Sequence, residues 1–390
     1  MRILHTSDWH LGRSFHREGM LTHQAAYLDH LVEVIDGEEV DLVVVAGDVY
    51  DRALPPVDAV TLAGETLERL AASRARVVVT SGNHDSARRL GFGSRLIDAA
   101  GVHLRTDPAG VGAPVLLEDA HGAVAVYGIP FLDPHAVSSA WALEAASHQT
   151  ALGEAMRRIR ADLAQRAGAR SVVLAHAFVA GAAPSDSERD ISVGGVARVP
   201  VSLFDGVDYA ALGHLHGAHV LSDQVRYSGS PLAYSFSEAG HRKGSWLIDL
   251  AADGVRASEF VPAPVPRPLA RLHGSLDELL GDPSLDEHEA SWVEATLTDV
   301  PRPAHAMDRL RRRFPHTLVL GFDAVATPFD VRAVADHGRD DRAVAADFVL
   351  QVRGVPATSE ELALLGEAVD ACCDDTSTDA EPAVVGGAVP

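Results

Sequence analysis

Hydrophobic residues follow two alternating spacings along the first part of the chain. Short continuous apolar runs, typical of strands covered on both faces, occur in "RILHTSD", "DLVVVAGD" and "VVVT". Between the first two runs, apolar residues repeat at helical spacing, namely Leu21, Ala25, Leu28, Leu31, Val32 and Ile35. The later runs "AVAVYGIP", "SVVLAH" and "DYAALGH" continue the alternation. The pattern predicts a layered α/β domain with a buried, mostly central sheet flanked by helices.

The pattern changes after the proline-rich stretch "EFVPAPVPRPLA", which predicts a domain boundary near residue 265. Residues 269–323 alternate strand-like and helix-like segments and predict a small βαβαβ unit. Beyond residue 340, two short amphipathic helices are predicted from the apolar residues Val344, Phe348, Val349, Val352, Leu362, Leu365 and Val369. Thr358 and Glu361 have the spacing of a capping box at the start of the second helix.

Composition narrows the classes of protein to consider. The chain has 390 residues, its apolar runs stop well short of the roughly 18 residues of a membrane span, and no signal peptide is recognisable, so we expect a cytoplasmic protein. Cys372 and Cys373 are the two cysteines and argue against a disulfide framework. The formal net charge of −22 argues against nucleic acid, but divalent metals held on carboxylates and imidazoles would supply positive charge locally.

Polar side chains collect directly after the predicted strands. In chain order they are Asp8 and His10, Asp48 and Asp51, Asn83, His84 and Asp85, His176, and His214 and His216. Because ligand sites in open α/β sheets form beyond the carboxyl ends of the strands, we expect these segments to meet. Each motif alone is typical of a polar turn. Their joint occurrence at successive strand ends indicates a metal site.

The types of side chain indicate the metal and the reaction. Mixed His, Asp and Asn donors suit Mn²⁺, Fe²⁺ or Zn²⁺, whereas four cysteines would indicate structural zinc and oxygen donors alone Ca²⁺ or Mg²⁺. There are more candidate donors than one metal ion can bind. Asp48, in the middle of the set, is best placed to bridge two ions. A pair of ions activates water and holds the oxygens of a displacement at phosphorus, so we expect phosphoester hydrolysis.

These residues resemble a known family. The segments "SDWHLG", "GDVYD", "GNHD", "LAHAF" and "GHLH" are similar to the five motifs of the calcineurin-like metallophosphoesterases. The flanking blocks "MRILHTSDWHLGR", "SGNHDSARRL", "SERDISVGG" and "YSGSPLAYSFSE" resemble, more narrowly, the bacterial SbcD family of nuclease subunits. The likeness extends from Met1 to about Ala263 and more loosely through the rest of the chain. The five motifs specify the superfamily, and the flanking blocks point to the nuclease subunits.

The resemblance implies a site that holds two Mn²⁺ ions, with Mg²⁺, Fe²⁺ and Zn²⁺ as alternatives. One ion would be held by Asp8, His10, Asp48 and His216, and the second by Asp48, Asn83, His176 and His214. His84 would meet the scissile phosphate, and Asp85 would orient His84. The alternative for His84 is a turn residue packed under the site. Relatives carry a histidine where Asp51 stands, so the role of Asp51 stays open.

The resemblance also implies a domain order and partners. Residues 1–265 would form the nuclease domain, 266–327 a small α+β capping domain, 328–339 a linker, 340–373 a helix-loop-helix segment and 374–390 a disordered tail. The helical segment would dock on an SbcC-type ATPase or, alternatively, back on its own chain. A homodimer within an assembly of two SbcC and two SbcD subunits is implied. Arg309, Arg311, Arg312 and Arg313 would either contact DNA phosphates or form a solvated helix face.

Three functional hypotheses follow. The favoured one is a Mn²⁺-dependent DNA nuclease subunit that works with an ATPase partner and is regulated by ATP. It would cut double-stranded ends and hairpins in DNA repair and recombination. The second is a phosphodiesterase for small molecules, which would need neither the capping unit nor the docking helices. The third, a scaffold without catalytic activity, is disfavoured because every predicted metal donor and His84 are present.

Overall fold

The computed structural model describes residues 1–192, 198–300, 302–323, 340–353 and 355–374. The chain divides into two compact units, Met1–Leu269 and a second unit from Ala270 onward. The predicted linker at 328–339 and the predicted disordered tail beyond Asp374 lie outside the described residues. No helix in the described ranges is both long enough and apolar enough to cross a bilayer.

The first unit contains strands and helices in alternation. Its strands are β1 (Arg2–Thr6), β2 (Ser14–Phe15), β3 (Glu18–Gly19), β4 (Leu42–Ala46), β5 (Arg76–Thr80), β6 (Val102–Arg105), β7 (Val115–Asp119), β8 (Gly122–Ile129), β9 (Arg170–His176), β10 (Tyr209–Gly213), β11 (His219–Val220), β12 (Val225–Tyr227), β13 (Gly244–Ala251) and β14 (Gly254–Pro262). Its helices are α1 (Leu21–Gly37), α2 (Val57–Ala72), α3 (Ala87–Leu90), α4 (Ser94–Ile97), α5 (Pro134–Trp141) and α6 (His148–Leu163).

The strands form two six-stranded sheets rather than one. The first has the order β14-β13-β1-β4-β5-β6, and the second has the order β11-β12-β10-β9-β8-β7. Strands β1, β4, β5 and β6 run parallel, as do β8, β9, β10 and β12. Antiparallel strands lie at one margin of the first sheet, β13 and β14, and at both margins of the second, β11 and β7. The predicted layered α/β class is confirmed, and the single central sheet is replaced by two.

Strand β4 explains why the central strands are apolar on both faces. Val43 and Val45 pack with the helices that cover the outer face of the first sheet. Leu42 and Val44 point the other way and pack between the two sheets. Helices α5 and α6 cover the outer face of the second sheet in the same manner. The result is a four-layer arrangement of helices, sheet, sheet and helices, in which successive side chains of a central strand are all buried.

The second unit has a separate small core. Its elements are β15 (Leu269–Gly274), α7 (Leu276–Gly281), β16 (Trp292–Leu297), α8 (Ala306–Arg313) and β17 (Thr317–Phe322), in the order expected from the sequence. The strands form one sheet in the order β15-β16-β17. Leu276, Val293, Leu297, Leu310 and Phe314 are buried together where the two helices cover the sheet.

Three of the four clustered arginines of α8 make contacts inside this unit. Arg309 pairs with Asp277 at 2.9 Å, and Arg313 pairs with Asp286 at 2.6 Å. Arg311 donates two hydrogen bonds to the Thr317 carbonyl, at 3.0 and 3.1 Å. These contacts favour a structural role for most of the basic cluster.

A pair of helices ends the described chain, α9 (Asp341–Arg353) and α10 (Ser359–Asp374). Arg342 pairs with Asp370, and Arg353 with Glu361, which joins the two helices by charge. The predicted capping box is confirmed, because Glu361 N donates to Thr358 Oγ1 at 3.3 Å and Thr358 N donates to Glu361 Oε2 at 2.7 Å.

Candidate metal centre

The loops after five parallel strands meet at one site. Asp8 N donates to the Gly47 carbonyl and His10 N to the Asp48 carbonyl, each at 3.0 Å, which joins the loops after β1 and β4. His214 N, just beyond β10, lies 3.1 Å from both carboxylate oxygens of Asp8 and so brings in the second sheet. The convergence expected from the strand ends is therefore present, and it spans both sheets.

Four of the predicted donors have a backbone conformation that is uncommon outside glycine. The φ angles are 54° at Asp8, 48° at His10, 50° at Asp48 and 103° at His214. Left-handed conformations of non-glycine residues cost free energy and concentrate at functional sites. Next to them, a Cβ on Gly82 would overlap the carboxylate and backbone N of Asp48, so only glycine fits at the start of "GNHD".

The Asp48 carboxylate lies at the centre of the site. Its Oδ2 is 3.4 Å from His176 Nε2, 3.7 Å from His10 Nε2 and 3.9 Å from His84 Nε2. Atoms bound at roughly 2.1 Å to a common ion lie about 3 Å or slightly more from one another. The distances to His176 and His10 suit a carboxylate that binds the same metal ions as these two rings, and His84 lies slightly further away.

Two groups of donors surround Asp48. On one side, His10 Nε2 and His216 Nε2 are 3.0 Å apart, and an Asp8 oxygen lies within reach of both. On the other side, Asn83 Oδ1 lies 2.9 Å from His176 Nε2 and 3.2 Å from His214 Nδ1. The structure thus brings together all seven side chains predicted as metal donors, and each is at least partly buried.

Two histidines have their ring orientation fixed from outside the site. His176 Nδ1 donates to the Ala46 carbonyl at 2.9 Å, so Nε2 is the ring nitrogen that faces Asp48 and Asn83 and that would lose its proton to bind a metal. His84 Nδ1 donates to the Asp51 carbonyl at 2.7 Å, so its Nε2 faces Asp48. The Asp51 main chain therefore orients His84, a contact that no residue pattern could reveal.

The Asp85 carboxylate has a different set of contacts from the one predicted. It accepts hydrogen bonds from Val49 N at 3.1 Å, Tyr50 N at 2.9 Å and Gly82 N at 2.9 Å. It therefore fastens the loop after β4 to the loop after β5. Orientation of His84 by Asp85 stays a prediction, and these contacts give it an indirect form, through the loops.

The electrostatics of the site favour a cation. Burial raises the pKa of Asp8 to about 6, and burial with the neighbouring Asp48 charge raises the pKa of Asp85 to about 7. Burial opposes charge on His176 as well, yet Asp48 raises the pKa of that imidazole to about 9. The Asp48 charge that raises the pKa of His176 would also attract a divalent ion. Together with the mixed nitrogen and oxygen donors, it fits one or two metal ions.

A buried polar group behind His216 was missed at the sequence level. Ser187, Glu238 and Lys243 extend from the His216 ring into the protein, and Glu188 Oε1 accepts a hydrogen bond from His216 N at 2.7 Å. These residues lie in or near the blocks "SERDISVGG" and "YSGSPLAYSFSE". The blocks served only for resemblance, and the sequence gives no signal that Glu238 and Lys243 are buried side by side.

Comparison with known proteins agrees with the site. Residues 1–218 match the family model described as calcineurin-like phosphoesterase, and residues 265–340 match the SbcD_C model, described as type 5 capsule protein repressor C-terminal domain.

Several solved structures also resemble the chain distantly. The protein TT1561 of Thermus thermophilus is 12% identical, with 66% of this chain and 98% of that one covered and a TM-score of 0.40. An archaeal phosphodiesterase is 11% identical (67% and 100% covered, TM-score 0.29), and GAP50, the anchor in the inner membrane complex of Plasmodium, is 13% identical (67% and 89% covered, TM-score 0.37). Likeness at this level carries no argument about activity.

The family model covers more than half of the chain, and the matched residues include every one of the seven convergent donors and His84. The chain belongs to the calcineurin-like phosphoesterase family.

Proposed function

We propose that the protein is the nuclease subunit of an SbcCD-type complex, which hydrolyses DNA phosphodiesters at a centre of two divalent metals. The observation that carries the hydrolytic part is the convergence of six other predicted metal donors around Asp48, with His84 Nε2 turned toward the same carboxylate. The match of residues 265–340 to SbcD_C supports the assignment to DNA.

The donors divide into the two proposed metal sets. Asp8, His10, Asp48 and His216 would hold one ion, and Asp48, Asn83, His176 and His214 would hold the other, with Mn²⁺ the ion proposed and Mg²⁺, Fe²⁺ or Zn²⁺ the alternatives. When bound, such a pair lowers the pKa of water and offsets charge on phosphate oxygens. The protein supplies fixed, dehydrated donors for that purpose.

His84 is proposed as the residue that meets the scissile phosphate. Its Nδ1 proton is committed to the Asp51 carbonyl, which leaves Nε2 as the atom directed at the site. Burial lowers the pKa of His84, and the negative charge of a bound phosphodiester would raise it again. At Nε2 the ring would stabilise developing charge or protonate the leaving oxygen. Asp85, which fastens the two loops, would hold His84 in place.

The helix pair α9–α10 is proposed as the docking segment for an SbcC-type ATPase. Phe348 is 58% exposed and Leu364 61% exposed, and Leu350 and Leu362 are exposed too. Apolar side chains of an amphipathic helix that remain exposed are typical of a surface that binds a partner. The alternative, docking on the same chain, is separated from this one by a binding experiment with SbcC.

A homodimer is proposed through the region after "GNHD". Phe92, in the turn between α3 and α4, is 85% exposed, and Leu96, within α4, is 83% exposed. Leu54 and Val57 are also exposed, and their loop adjoins α3 because Arg89 Nη1 donates to the Ala53 carbonyl at 2.8 Å. Apolar side chains of this size gain from burial in a second copy of the same surface.

The experiment that tests the proposal is degradation of DNA by the purified chain in Mn²⁺. A blunt end-labelled duplex and a DNA hairpin are compared with bis(p-nitrophenyl) phosphate, with and without SbcC and ATP. His84→Ala is the inactive control, and His121→Ala, on an exposed turn, is the matched histidine control. We expect cleavage of both DNAs that depends on His84 and responds to ATP when SbcC is present. Hydrolysis of the small diester alone, unchanged by SbcC, would favour the small-molecule phosphodiesterase.

A further inference from the structure

The His216 ring contacts a chain of buried polar side chains on the side away from the other metal donors. Ser187 Oγ lies 2.6 Å from His216 Nδ1 and 2.6 Å from Glu238 Oε1. Glu238 Oε2 is ion-paired with Lys243 Nζ. All three residues are buried, and Lys243 Nζ also donates to the His216 carbonyl at 2.8 Å. The contacts therefore reach both the ring and the main chain of one histidine.

We propose that Ser187, Glu238 and Lys243 are positioning residues that hold His216 with its proton on Nδ1 and its Nε2 directed at the metal. The inference rests on the proposed function, since it takes His216 to be a metal ligand. It assigns roles to three residues that lie outside the donor set.

The direction of the hydrogen bonds gives the argument. The Ser187 hydroxyl has one proton and two neighbours that can only accept it: the ionised Glu238 Oε1 at 2.6 Å, and Ser185 Oγ at 2.9 Å, whose own proton is donated to Glu188 Oε2. The shorter contact with a charged acceptor favours donation to Glu238. The hydroxyl oxygen is then free to accept, and the adjacent His216 Nδ1 must be the donor. Lys243 keeps the Glu238 carboxylate charged. It thereby sets the direction of the hydrogen bonds that run from His216 through Ser187 to Glu238. His216 Nε2 is left with a lone pair, 3.0 Å from His10 Nε2.

The free energy of burial also points to a functional role. Removing an ammonium and a carboxylate from water costs several kcal/mol per ion, and well-packed apolar side chains would often replace such a pair without loss of stability. Here the pair is fully hydrogen-bonded, with Ser230 Oγ 2.9 Å from Lys243 Nζ and Tyr234 N 3.1 Å from Glu238 Oε1. Groups that orient a ligating histidine typically change metal affinity 10- to 100-fold when removed.

The test measures Mn²⁺ affinity by electron paramagnetic resonance of free Mn²⁺ on the full chain. Ser187→Ala and Glu238→Gln are compared with wild type and with Ser192→Ala, a serine nearby whose hydroxyl contacts Asp190. We expect the ion proposed to be held by His216 to lose roughly 10- to 100-fold in affinity in the first two variants, while the other ion keeps its affinity. Ser192→Ala should match wild type. Each variant is also made in a His216→Ala background, where the same change should have almost no further effect.

The outcomes separate this inference from the proposed function. Unchanged Mn²⁺ affinity in Ser187→Ala would overturn the positioning role, as would a loss of the same size in the His216→Ala background. If Glu238→Gln fails to fold because Lys243 is left unpaired, Ser187→Ala decides the question alone. If wild type binds no Mn²⁺, the metal centre itself is wrong, which is a different result from wild-type binding that the variants leave unaltered.

Discussion

At the scale of single residues, the site contains two kinds of side chain, those proposed to bind the metal ions and His84, which is proposed to meet the phosphate. Asp48 faces three histidine rings, whereas His84 reaches the site by one nitrogen and is fixed by the other. Replacement of His84 should therefore spare metal binding, and replacement of Asp48 should not.

We expect His84→Ala to keep Mn²⁺ binding and to lose roughly 10²- to 10⁴-fold in the rate of DNA cleavage, the usual contribution of a positioned acid or base. Asp48→Asn should lose both, since Asp48 lies among donors of both proposed ions. Titration with Mn²⁺ and a single-turnover cleavage assay on the same preparations measure the two effects. A His84→Ala variant that cleaves at the wild-type rate would remove His84 from the mechanism.

The convergence of the candidate donors was predictable at this scale, and the residues that orient them were not. Residue type and position after a strand were enough to select Asp8, Asn83 and His214. The Asp51 carbonyl that holds His84 was invisible, because every residue has a carbonyl and only the folded backbone decides where it points. The backbone contacts of Asp85 escaped prediction for the same reason.

At the scale of elements, periodicity predicted strands and helices but not their partners. A continuous apolar run such as β4 indicates burial on both faces, and it is buried the same way in one central sheet or in two stacked sheets. Which strands share a sheet depends on contacts distant in sequence, for example Leu4 with Leu247 in β1 and β13. The capping box of α10 was predictable because both partners lie within one turn.

The helix pair α9–α10 should be separable from catalysis. Removal of residues 340–390 is expected to leave the Mn²⁺-dependent cleavage by the isolated chain unchanged and to abolish association with SbcC, measured by copurification and by loss of ATP response. Leu364→Asp is a milder variant that places a charge on the exposed apolar face and should weaken association with SbcC. Glu367→Gln changes an exposed polar position on the same helix and is the control, which should bind as wild type does. A truncated chain that still copurifies with SbcC would place the docking surface elsewhere.

At the scale of the whole molecule, the proposed dimer makes a prediction about mass in solution. Phe92→Glu combined with Leu96→Glu should convert a dimer to a monomer, because two charges would have to be buried in the contact. Light scattering coupled to size exclusion measures the change. Glu118→Gln, on the exposed part of β7, should stay dimeric. A wild-type chain that is monomeric at micromolar concentration would contradict the proposal.

A second prediction at this scale concerns the contact between the two sheets. Arg170 in β9 pairs with Asp119 and donates to the Leu250 carbonyl of β13 at 3.2 Å. Burial disfavours the charged form of Asp119, but the Arg170 guanidinium holds its pKa well below the ordinary value. The pair therefore stabilises the fold above the unfolded-state pKa of about 3.9 and loses its contribution as pH falls below that value toward the folded pKa.

We expect Asp119→Asn to lower the free energy of unfolding by about 1.5–3 kcal/mol at pH 7, the range for hydrogen bonds to charged groups. The difference from wild type should shrink progressively below pH 4, as urea titrations at several pH values would measure. Asp107→Asn, an exposed carboxylate, is the control. A difference that stays constant down to pH 3 would mean that the contribution of Asp119 does not depend on its charge, which would contradict the ion-pair explanation.

The position of β13 has a consequence for how the protein is made. All the proposed metal donors lie before residue 218, yet β1 pairs on one side with β13, and β13 pairs with β14, which ends at Pro262. A nascent chain that has just released His216 from the ribosome therefore leaves β1 as an unpaired edge, open to association with other chains. It also lacks Glu238 and Lys243. We expect a fragment of residues 1–218 to be digested rapidly by protease and to bind no Mn²⁺. A fragment of residues 1–265 should resist digestion. The segment that carries the proposed metal donors is therefore shorter than the segment expected to fold.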